Sequence, residues 1–91
     1  MVPAMSLTKY EHAALAQVRF LAQQHASDPM AFGHTLEVVK EGYRVDPYVR
    51  SDPIRWDTVL SVAENEEGWP FRREVKREGT QMKTTFHGKQ P

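Results

Sequence analysis

Apolar residues recur at helical spacing twice in the first half of the chain, and each run opens on a capping signal. Thr8 and Glu11 have capping-box spacing, in which hydroxyl and carboxylate each satisfy a backbone N–H left over at a helix start. At ~100° per residue, Leu7, Tyr10, Ala14, Val18, Leu21 and His25 then share one stripe, with Leu15 and Ala22 at its margin. The pattern predicts a helix over about 9–26 with this stripe turned inward. Phe20 falls on the other side beside Ala13 and Ala16, which makes it a candidate anchor for a partner.

Asp28-Pro29 marks a second start, since Asp accepts from free N–H groups and Pro at the first helical position lacks one that would go unpaired anyway. A helix over about 29–41 follows, with Phe32, Thr35, Leu36 and Val39 inward. Gly42 reads as the left-handed residue that ends it, with Tyr43 folding back over the last turn. Residues 43–51 read as a connector with a short strand at 43–45, broken by Asp46-Pro47; Tyr48 within it is a candidate contact residue.

Residues 52–68 fit two patterns. As a helix over about 53–67 they have Asp52-Pro53 as cap and first position, Trp56, Val59, Leu60 and Ala63 on one face, and Gly68-Trp69-Pro70 as a stop. As a strand they alternate Ile54, Trp56, Thr58, Leu60 and Val62. The caps at both ends, together with Ala63-Glu64-Asn65-Glu66-Glu67, favour the helix. Downstream, period-two alternation predicts an antiparallel hairpin over about 71–77 and 80–87 that turns at Glu78-Gly79. Its expected register pairs Arg77 with Thr80, Val75 with Met82, Arg73 with Thr84 and Phe71 with Phe86, with a Glu74–Lys83 pair on the opposite face. A short helix from Pro70 to Glu78 is the rival reading.

The whole reads as an α+β fold, with three N-terminal helices followed by a C-terminal hairpin, in one small domain over 1–91. Residues 1–5 and 88–91 are expected to be flexible, and Met5-Ser6-Leu7 would make an ordinary start. Leu, Ile, Val and Phe make up only 19 of 91 residues and mean hydropathy is -0.63, but 12 cations balance 12 acids. That balance argues against disorder and for a folded domain of modest stability. With no cysteine, disulfides, thiolate metal sites and thiol nucleophiles are all excluded. The absence of a long apolar run or a basic-then-apolar start points to a cytoplasmic protein that does not engage a membrane.

Chemistry finds little support. His12, His25, His34 and His87 never stand three or four apart, so no helix face offers two metal ligands, and the serines sit in no nucleophile-elbow context. No catalytic residue, metal or cofactor is expected. The charge distribution says more than the net charge: residues 1–67 hold six cations against ten acids, and residues 68–91 hold six against two. Arg72, Arg73, Lys76 and Arg77 are therefore candidate contact residues, for an acidic protein surface or for phosphates. The same cations would also guard an exposed sheet edge.

Three helices followed by a basic hairpin resembles the outline of a winged helix-turn-helix, which implies a hairpin that touches nucleic acid. Roughly ten residues separate the second and third helices where that motif has three or four, and Asp57, Glu64, Glu66 and Glu67 would repel a phosphate-lined groove. Gly68-Trp69-Pro70-Phe71, Gly79 and Thr84-Thr85-Phe86-His87 is similar to the helix-to-strand segment of small HicA-type mRNA-interferase toxins. That family has a histidine shortly after the turn glycine; Thr80, Gln81 and Met82 stand here, so no catalytic residue carries over. The expectation is a non-enzymatic regulatory module that binds another protein through Phe20, Tyr48, Arg72, Arg73, Lys76 and Arg77. The alternative is a nucleic-acid-binding regulator that uses the hairpin, and a homo-oligomer is compatible with both.

Overall fold

The computed structural model describes residues 6–89. Their order is α1 (Lys9–Gln24), α2 (Pro29–Val45), α3 (Pro47–Arg50), α4 (Trp56–Glu64), β1 (Phe71–Glu78) and β2 (Gln81–Gly88), an α+β arrangement ending in a two-stranded antiparallel hairpin. The expectations for residues 1–5 and 90–91 lie outside the described residues. Gly88 and Lys89 are held: Gly88 pairs with Phe71, and the Lys89 N–H donates to the Pro70 carbonyl at 3.2 Å.

The capping box at the start of α1 is complete, with Thr8 Oγ1 accepting from Glu11 N–H at 3.1 Å and Glu11 Oε1 accepting from Thr8 N–H at 3.0 Å. Asp28 caps α2 as its sequence indicates, accepting from the Ala31 N–H at 3.1 Å. This helix does not stop at Gly42. Among the described residues only Gly68 and Gly79 have positive φ, so Gly42 stays helical and the expected strand at 43–45 is instead the last turn of α2. A glycine inside a helix costs only about 1 kcal/mol, whereas Pro47 pushes Asp46 into the extended region (φ -73, ψ 122), which is what ends α2. Asp46 then caps the short α3, accepting from the N–H groups of Tyr48 and Val49.

Residues 56–64 are helical, which removes the strand reading, but the helix is shorter at both ends than its sequence suggests. Asp52 caps nothing. The Arg55 N–H is taken instead by the Glu11 carboxylate of α1 at 2.8 Å, so helical hydrogen bonding begins one turn later. At the other end the chain leaves the helix at Asn65 and reverses at Gly68, whose φ of +86 a side chain would resist.

The hairpin turns through Gly79-Thr80, not Glu78-Gly79. Gly79 has φ +62 and Thr80 has negative φ, the signature of a type II′ turn with glycine in first place. The register is therefore two residues away from the expected one: Glu78 pairs with Gln81, Val75 with Thr84, Arg73 with Phe86 and Lys76 with Lys83. A shift of two keeps every side chain on its face, so Phe71 and Phe86 still point into the core. The Glu74–Lys83 pair does not form; Glu74 lies opposite Thr85 and bonds to His87 Nε2 at 2.9 Å.

The core has two parts. Ala14, Leu15, Val18, Leu21 and Ala22 of α1 meet Val59, Leu60 and Ala63 of α4, and Phe32 and Leu36 of α2 join them. Beneath the hairpin base, Phe32 stacks on Phe71 at 4.4 Å between ring centroids and meets Trp69 and Phe86 edge-on at 5.7 and 4.9 Å. At Gly33 a Cβ would stand 3.5 Å from the Phe86 ring, an ordinary contact distance, so α2 lies directly against β2 at this point.

Candidate partner-binding surfaces

Glu11 is the only buried charged residue among those described, and its chemistry is structural. Besides capping α1 it accepts from Arg55 Nε and N–H at 2.8 Å each and from the Arg55 guanidinium end at 2.7 Å. These hydrogen bonds, the Arg55 side chain first, outweigh desolvation and hold its carboxyl down to about 2. The result ties the start of α1 to the start of α4. Sequence spacing cannot reveal this pair, because 44 residues separate the partners.

The residues singled out from sequence fall on separate elements. Phe20 on α1 is 55 % exposed and Tyr48 on α3 is 74 % exposed. Arg73 is already engaged: it forms ion pairs with Glu64 at 3.0 Å and Asp57 at 3.3 Å, which fasten β1 over α4. Arg77 Nε donates to the Gly79 carbonyl at 3.4 Å and otherwise faces solvent. Arg72 and Lys76 are exposed on the outward face of the hairpin. Lys76 stands directly opposite Lys83 there, a like-charge pairing that costs stability.

Two grooves went unrecognised in the sequence. One, about 590 Å³, lies at the corner of α2, α3 and α4, with Tyr43, Val49, Ile54 and Trp56 below and Lys40, Arg44 and Arg50 around it. Tyr43 and Trp56 meet edge-on at 5.8 Å, and the Lys40 ammonium lies 5.9 Å from the Trp56 ring centre. The second, about 940 Å³, runs between α2 and β2, with Met30, Gly33 and His34 on one wall and Met82, Thr84 and Phe86 on the other. Its signal in sequence is weak: Met30 and Val38 sit opposite the inward stripe of α2, where isolated apolar residues are ordinary.

The hairpin is packed at one end only. Phe71 and Phe86 are buried at its base, whereas Val75 is 48 % and Met82 65 % exposed on the same face nearer the tip. At the base α2 lies against β2, and toward the tip the 940 Å³ groove separates Met82 from Glu37 and Lys40 of α2. Compared with family models, curated proteins and solved structures, the chain matches none. Among the described residues no group of three or more His, Asp or Glu side chains could hold a metal ion, and no helix is long and apolar enough to cross a membrane.

Proposed function

We propose that this chain is a small non-enzymatic interaction module of the cytoplasm that acts by binding another protein through its hairpin. The observation that carries this reading is the partly open distal half of the hairpin, where Val75, 48 % exposed, and Met82, 65 % exposed, share a face with the buried Phe71 and Phe86. The apolar area these side chains leave exposed gains free energy when a partner covers it. Capture of proteins and nucleic acids together from the native host tests it. The expected result is a stoichiometric protein partner whose affinity falls little with salt, because apolar burial supplies most of the free energy.

Nucleic-acid binding is the second reading, favoured by Arg72, Lys76 and Lys83 on one outward face of the hairpin. A complex of that kind releases counterions, so its affinity falls log-linearly and steeply with salt. The ten acids of residues 1–67 oppose approach to a polyanion. Salt-steep binding to generic RNA or duplex DNA, lost on Lys76→Glu/Arg77→Glu, would replace the first reading with the second.

A further inference from the structure

The outer edge of β2 is a hydrogen-bonding edge with a groove beneath it. In an antiparallel pair, residues alternate between those whose N–H and C=O face the partner strand and those whose groups face away. The Lys89 N–H to Pro70 carbonyl bond and the two-residue turn closing on Glu78–Gln81 set the phase. Lys76 and Lys83 thus exchange backbone bonds, and Met82, Thr84 and Phe86 direct theirs outward. Among the described residues those outward groups bond to no other backbone group.

The β1 strand lies on the α4 side, where Arg73 pairs with Glu64 and Asp57. The β2 edge lies on the α2 side. There Met30, 73 % exposed, and His34 flank the 940 Å³ groove together with Met82 and Phe86. An extended segment pairing with β2 would place alternate side chains in this groove and the remainder on the outward face beside Lys83. Lys83 forms no ion pair among the described residues; its cross-strand neighbour Lys76 pairs with Glu74 at 4.0 Å. A carboxylate beside Lys83 relieves that repulsion, whereas a cation adds to it. A second copy paired through the same edge would bring two such basic faces side by side.

We propose that β2 accepts, as a third strand, an extended segment of a partner protein in which apolar and acidic residues alternate, its apolar side chains filling the groove over Met30 and its acidic ones facing Lys83. This rests on the protein-binding reading and specifies its partner. Backbone pairing gives affinity and the two faces give selectivity, as in other strand-addition complexes.

Fluorescent peptides of alternating valine and glutamate, and of alternating valine and lysine, titrated against the full chain, test this. The glutamate peptide is expected to bind at least ~10-fold more tightly, shifting the amide resonances of Met82, Thr84 and Phe86. Thr84→Pro removes an outward N–H without removing a bond within the hairpin, so it should abolish peptide binding while the far-UV spectrum is retained. Lys83→Glu should invert the preference and confirms the charge assignment independently of Thr84→Pro folding. Equal binding of both peptides, no binding of either, or amide shifts confined to β1 or to the corner groove would overturn the proposal. If the host partner is captured equally by wild type and Thr84→Pro, strand addition fails while the protein-binding reading stands. If the host yields only nucleic acid, that reading fails as well.

Discussion

The two halves of the hairpin share one alternation and one register, yet they do opposite things. At the base, Phe71 and Phe86 close over Phe32 and Trp69 and are all but inaccessible. Toward the tip, Val75 and Met82 lie on the same face and are about half and two-thirds exposed. The difference comes from what lies opposite: α2 touches β2 at Gly33 and Phe86, whereas toward the tip the groove separates Met82 from Glu37 and Lys40 of α2. Hydrophobic character alone therefore does not separate stabilising residues from contacting ones; what lies opposite each residue does.

The largest expected effect is at the base. Phe32→Ala removes the ring that three other aromatics pack against and should cost about 3–5 kcal/mol, which equilibrium denaturation would register as loss of most of the stability of so small a domain. If the midpoint moved only slightly, the aromatic cluster would not be what holds hairpin to body.

Next comes the helical half of the contrast. Glu11→Gln removes the buried carboxylate that the donors of Arg55 and the α1 start share and should cost about 2 kcal/mol. Because the folded-state pKa of Glu11, about 2, lies below its ordinary 4.5, its contribution is fully present above pH 4.5 and disappears as pH falls toward 2. The stability gap between wild type and Glu11→Gln should therefore narrow across that window, as denaturation at stepped pH would record. A gap independent of pH would mean that the ionised carboxylate is not what is stabilising.

A smaller effect belongs to Asp46→Ala, which removes the cap of α3 and should cost about 1 kcal/mol. The loss should appear in a thermal melt, with local exchange at Tyr48 and Val49 amides faster than in wild type.

Local signals were legible in sequence because they act across three or four residues. Thr8 with Glu11, and Asp28 with Pro29, cap the helices they announce. The inward stripes of α1 and α2 likewise hold the buried apolar residues of those helices, while Glu11, buried on α1, was not among them. Boundaries decided by competition were less legible. Gly42 permits a helix end, but Pro47 imposes one, and Asp52 offers a cap that Glu11 pre-empts from another helix. The hairpin register moved by two because Gly79 can serve either central turn position, and only the structure shows it in the first. On the candidate surface, sequence charge drew attention to Arg73, which is bound to α4, and passed over Met30, whose significance depends on α2 lying beside β2.

The central claim is that the distal half of the hairpin serves contact and not stability. The direct measurement is to take the double variant Val75→Ser/Met82→Ser through both a thermal melt and capture of the host partner. The account predicts a stability change within about 0.5 kcal/mol, as for other exposed positions, together with loss of the captured protein. A variant that unfolds, or one that captures its partner as well as wild type, would contradict it.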